Sequence, residues 1–107
     1  MKLILAIVSG DDSLKVSRSL TKGGFFVTKL ATTGGFLMAG NTTFLIGTDD
    51  ERVDDVISII RENSKTRKQM VSSSASYGVG MISASSIEVL VGGATIFVLD
   101  IERFEKL

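Results

Sequence analysis

The sequence predicts an α+β fold, an antiparallel sheet with two helices packed on one of its faces. Three observations predict it. Leu3 to Val8, Phe44 to Ile46 and Ile96 to Leu99 are apolar at consecutive positions, as strands in a sheet interior are. Val16 with Leu20, and Val53, Val56 and Ile57 with Ile60, recur instead at helical spacing. Glycine pairs and Asp/Ser-rich turns divide the chain into strand, helix, strand, strand, helix and a closing pair of strands.

Each element has a local reason. Leu3 to Val8 imitates the front of a signal peptide, but the apolar run is short and Gly10-Asp11-Asp12 follows without a cleavage site, so a buried strand is expected. Asp11 or Asp12 can cap a first helix that runs to about Lys22, with Val16 and Leu20 on its buried face and Ser13 and Ser17 allowing close approach. Gly23-Gly24 ends it. Phe25 to Ala31 reads as a second strand, with Phe25, Val27 and Lys29 on one side and Phe26, Thr28 and Leu30 on the other. Thr42 to Gly47 reads as a third. Thr48-Asp49-Asp50-Glu51 spells a capping box before a second helix that extends to about Ser64. Lys65, Arg67 and Lys68 form a basic run without interleaved aromatics, which suits a solvated strand edge better than a nucleic-acid patch. Ile87 to Val91 and Ala94 to Leu99 flank Gly92-Gly93, the signal of a two-residue hairpin, and Asp100 to Leu107 closes the chain with about one helical turn.

At 107 residues the chain is expected to form one domain, 1–107, with flexible loops at about 32–41 and 72–86. Lys and Arg number 12 and so do Asp and Glu, and a net charge of zero argues against wholesale binding to nucleic acid or an anionic membrane. There is no His and no Cys, which removes thiol nucleophiles, histidine bases and His/Cys metal sites together. A cytoplasmic location fits the lack of Cys. No apolar run approaches the roughly 18 residues of a membrane span.

The chemistry concentrates in Thr32 to Thr43. Gly34, Gly35 and Gly40 bracket Phe36 and Leu37, and Asn41-Thr42-Thr43 follows. Glycine lets backbone N–H groups turn toward an anion, Phe36 offers a stacking face, and the Asn41 amide can donate and accept at a base edge. A nucleotide site is one outcome of that combination. The other is a hairpin loop whose Phe36 and Leu37 plug a neighbouring surface. Gly35 to Thr42 follows the phosphate-loop spacing, except that Asn41 replaces the lysine and a strand follows where a helix is required. Tyr77 to Ser83 lacks the third glycine of a dinucleotide fingerprint. Asp49, Asp50, Asp54 and Asp55 suit a helix N-terminus better than a metal cluster. With no base or nucleophile converging on the loop, a binding module is favoured over an enzyme.

Assembly follows from the pattern. A sheet covered on one face shows polar residues on the other, yet these strands are apolar on both. Two helices cannot cover both faces, so the second is expected to meet another subunit in a closed, ring-like oligomer.

Thr28 to Leu37, Ala39 to Phe44 and Asp50 to Asp55, together with Val89, Val91 to Thr95 and Phe97-Val98, closely resemble the PII-like cyclic di-AMP receptors of Gram-positive bacteria. The likeness covers most of 1–56 and 87–107 and is poor from about 62 to 86. It implies a ferredoxin-like βαββαβ fold and a homotrimer of the PII signalling type that binds one cyclic di-AMP at each subunit interface. By matching position, it implies that Gly35, Phe36 and Leu37 surround the ligand with N–H groups and an aromatic face. It further implies that Thr28 contacts a phosphate, Asn41 reads an adenine, Gly47 leaves room for the base, and Phe97 packs from the neighbouring subunit's side. No cofactor, metal, catalytic residue, nucleic-acid polymer or membrane insertion is expected, but a protein target is. Two departures stand out: Phe26 occupies the place of an arginine usual in these receptors, and the 72–86 stretch has none of their prolines. The alternatives are a PII-type sensor of a mononucleotide or another small anion, and a Mg²⁺-dependent phosphodiesterase built on the Asp49–Asp55 carboxylates.

Overall fold

The structure, a computed structural model, describes residues 1–30, 40–72 and 86–107. The elements run β1 (Lys2–Ser9), α1 (Gly10–Lys22), β2 (Val27–Leu30), β3 (Asn41–Thr48), a 3-10 turn (Asp50–Arg52), α2 (Val53–Asn63), β4 (Arg67–Ser72), β5 (Ser86–Val91) and β6 (Ala94–Asp100). Four strands form one antiparallel sheet in the order β2-β3-β1-β6. That is the ferredoxin-like βαββαβ arrangement, with β4 and β5 inserted as a separate two-stranded arm before the last strand.

Alternation along the strands decides what each face holds. Ile4, Ala6 and Val8 of β1 and Phe44 and Ile46 of β3 point to the helices, where they bury against Val16 and Leu20 of α1 and Val56 and Ile60 of α2. The opposite face carries Leu3, Leu5, Ile7 and Leu45, all partly exposed, beside the more exposed Leu30, Phe97 and Leu99. No described helix covers it. Both the one-sided helical layer and the apolar character of the bare face match the pattern in the sequence.

Several local expectations are corrected. The cap of α1 is Ser9, whose hydroxyl accepts from the Asp11 N–H at 3.2 Å. Asp12 is instead buried and meets Arg67 from β4. The capping box does not form. Thr48 stays in β3 opposite Lys2, so the chain enters α2 through the 3-10 turn, in which the Arg52 N–H donates to the Asp49 carbonyl. The hairpin across Gly92-Gly93 is absent as well. Both glycines do take positive φ, but they turn the chain out of the arm, so that β5 pairs with β4 and β6 with β1. The Gly93 N–H donates to the Ser64 carbonyl, and a Cβ on Gly92 would collide with the Lys65 carbonyl. Contacts made across the fold, absent from any local pattern, thus hold the arm's two ends together. The segment after β6 is not helical. The two loop expectations lie mostly on 31–39 and 73–85, outside the described residues, while Asn41, Ser72 and Ser86 belong to strands.

The edge strand β6 is tied to β1 by an ion pair between Lys2 and Asp100. The hydrogen bond from Lys2 holds the Asp100 carboxyl below its ordinary range, and the same bond holds the Lys2 ammonium above its own. The carboxylate's contribution is therefore present above its unfolded pKa and fades as pH falls through the lowered folded one. The ammonium's is present below its unfolded pKa and fades as pH rises through the raised one. Asp100→Asn should lower the melting temperature at neutral pH, and the difference from the parent should vanish in acid. Phe44→Ala, which empties the centre of the core, should cost about 3–5 kcal/mol in urea unfolding.

Candidate ligand-binding site

The β2–β3 corner is shaped by two adjacent phenylalanines. Phe25 is 5% exposed, turned toward the helices, with the Arg52 guanidinium 4.0 Å over its ring and Arg52 Nη2 donating to the Gly23 carbonyl at 3.0 Å. The strand expected from Phe25 begins only at Val27, so both phenylalanines precede β2, and Phe26 is 81% exposed and lines a cavity with Thr28. On the open face of the sheet Thr28 lies opposite Leu45, and Gly47 lies two residues further along β3.

The segment after β6 walls this corner. The Ile101 N–H donates to the Met1 carbonyl at 3.2 Å, and beyond it Phe104 and Lys106 line the same cavity as Phe26, Thr28, Leu45 and Gly47. The cavity has a volume of about 540 Å³. Lys106 Nζ stands 5.3 Å from the centre of the Phe26 ring. A Cβ at Gly47 would sit 3.7 Å from the end of Met1, and no unusual backbone angle demands glycine there. Gly47 therefore contributes space, not backbone geometry. The corner offers an aromatic face, a hydroxyl and a cation around a mostly apolar floor, a set suited to a ligand that is part base and part phosphate.

Of the residues singled out from sequence, Thr28 and Gly47 meet here. Asn41 shares their face of β3 but lies six residues from Gly47, about 20 Å at the usual strand rise, opposite Ser9. Phe97 stands in the same cross-strand row as Thr28, through Leu45 and Leu5, but on the far edge, about 14 Å away at the usual strand spacing. It is 53% exposed. Gly35, Phe36 and Leu37 lie outside the described residues. The chain thus gathers two of the described four and leaves Asn41 at the end of β3 and Phe97 on the far strand β6.

Phe104 and Lys106 were not anticipated. Their one cue is a spacing of two, which fits an extended wall better than the helical turn expected there. Among the described residues, no group of three or more acidic side chains is placed to hold a metal ion, so Asp49, Asp50, Asp54 and Asp55 do not converge. A second cavity of about 370 Å³, between α2 and β6, contains none of the anticipated residues. No described helix is long and apolar enough to cross a membrane.

Fold and cavity together describe a small α+β module with a candidate pocket on the open face of the sheet. The family model for cyclic-di-AMP receptors matches residues 1–107, and the chain belongs to that family. It is also similar to a solved structure described as a functionally unknown protein from Pediococcus pentosaceus, at 40% sequence identity and a TM-score of 0.76. That match covers 99% of this chain and 96% of the other.

Proposed function

We propose that this protein is a non-enzymatic signalling module that binds cyclic di-AMP between the subunits of a homotrimer and relays occupancy to a protein target. The observation that carries the reading is the corner pocket, where Thr28 and Gly47 converge beside the exposed Phe26 ring. Membership of the receptor family supports the ligand. The separation of Asn41 and Phe97 from that corner, about 14–20 Å on one chain, supports an interface in which a second protomer supplies some of the contacts. The bare apolar face supplies the surface on which protomers would meet.

In this reading Thr28 donates to a phosphate oxygen, Asn41 holds an adenine edge and Phe97 packs from the neighbouring subunit. Gly35, Phe36 and Leu37 complete the enclosure with N–H groups and an aromatic face. Phe26 takes the place of the family arginine, and Lys106, lying over its ring, brings a cation to the same corner from the end of the chain. An arginine would grip a phosphate with a planar fork, whereas a lysine serves as a point charge beside a stacking surface. Binding would order the segments around the pocket and alter the face shown to the target, the differential affinity for the two states carrying the switch.

Calorimetry with cyclic di-AMP, cyclic di-GMP, ATP and ADP tests this directly. Cyclic di-AMP should bind best, and no heat with it would remove the reading. Asn41→Ala should weaken binding by about 1–3 kcal/mol, the range for a buried hydrogen bond lost with its partner stranded. Gly47→Val should abolish most binding by filling the corner, with little change in melting temperature. Size exclusion at micromolar concentration should give a trimer, and a monomer would contradict the shared site.

A further inference from the structure

The first turn of α1 is a meeting point of distant segments. The Gly10 N–H donates to the carbonyl of Gly40, the residue immediately before Asn41. The contact is close enough that a Cβ on Gly10 would sit 3.0 Å from that carbonyl oxygen. Ser9 caps the turn and the Ser13 hydroxyl donates to the Gly10 carbonyl at 3.0 Å, so the turn is bonded internally at both sides. Within it, Asp12 is 3% exposed and faces one guanidinium. Arg67 Nη2 donates to its Oδ1 at 3.0 Å and Nη1 to its Oδ2 at 3.3 Å.

Arg67 is the first residue of β4 and pairs with Val91, the last of β5. The ion pair therefore sits at the root of the arm. The same Nη1 donates to the Lys65 carbonyl at 3.1 Å and lies where a side chain on Gly92 would be. Among the described residues, this is the one side-chain bond between the arm and the layer of helices and sheet. Its two ends are unequal. Asp12 is held in the packed turn, whereas the Arg67 side chain is 41% exposed, so the carboxylate's position dictates where the guanidinium stands.

We propose that Asp12 and Arg67 are the positioning pair through which the Gly40–Asn41 end of β3 sets the orientation of the β4–β5 arm. A displacement at Asn41 is passed through the Gly40–Gly10 bond to a rigid first turn, and from its buried carboxylate to the arm's root. The ligand half of this inference rests on the binding function proposed above, while the mechanical half concerns the unliganded protein alone. Coupling of this kind is reciprocal, so a protein whose arm is cut loose no longer responds there to its ligand, and its affinity shifts by the same coupling factor.

Amide hydrogen exchange on Arg67→Lys, Asp12→Asn and the double variant, with and without cyclic di-AMP, tests both halves. Arg67→Lys keeps the charge and loses the fork, and its exposed site keeps the test valid if Asp12→Asn folds poorly. Without ligand, amides of 67–72 and 86–91 should exchange about tenfold faster than in the parent, those of α1, α2 and β1 staying unchanged. Cyclic di-AMP should slow the arm in the parent and not in the variants, and the double variant should be no worse than either single one. Arm exchange in Arg67→Lys equal to the parent's, or a ligand response that survives in it, would overturn the link. A parent protein that gives no heat with cyclic di-AMP would defeat the binding function instead, the unliganded exchange rates still deciding the link.

Discussion

A four-stranded sheet whose strands are apolar on both faces has, among the described residues, two helices to cover it, and both lie on the same side. The covered side closes into a core around Phe44, Ile4 and Ile46. The other side keeps Leu30, Phe97 and Leu99 in water among partly exposed leucines. Each Å² of such surface removed from water stabilises by about 25 cal/mol, so the face is a strong driving force for association. In the proposed trimer the same surface that joins the subunits also carries the ligand. Binding and assembly are then properties of one face, and a change in one is felt in the other.

The corner at β2 and β3 depends on two adjacent phenylalanines just before β2. Phe25 is buried in the core under Arg52, while its neighbour Phe26 stands exposed. The exposed Phe26 ring shares a cavity with Thr28 and Gly47. The C-terminal segment lies across it, and Lys106 approaches the ring from residues far away in sequence.

The arm is held differently from the rest. Its strands pair with each other and not with the central sheet, so its orientation rests on its root. There, Gly92 and Gly93 allow the chain to pass between strands of two sheets, Ser64 accepts from Gly93, and Arg67 reaches the buried Asp12. A buried carboxylate with one cationic partner is costly to leave alone, which makes its geometry more specific than a surface pair would be.

By itself the sequence determined the periodic elements. Apolar runs, helical spacing and strand alternation specify β1, β3, α1 and α2 and the bare apolar face, because each is written in neighbouring residues. The placement of Thr28 and Leu30 on one side of β2 was legible for the same reason, whereas that Gly47 joins Thr28 follows from the register of β2 with β3. Only the tertiary structure decided what depends on residues far apart. Gly92-Gly93 carries a true hairpin signal, yet β6 finds β1 and β5 finds β4, since pairing inside the central sheet buries Ile96 against the core. Asp12 looks like a cap until Arg67 arrives from 55 positions away. Lys106 belongs to the pocket only because the chain's end crosses it. Local patterns choose a segment's conformation, but partners brought together by folding choose what its side chains touch.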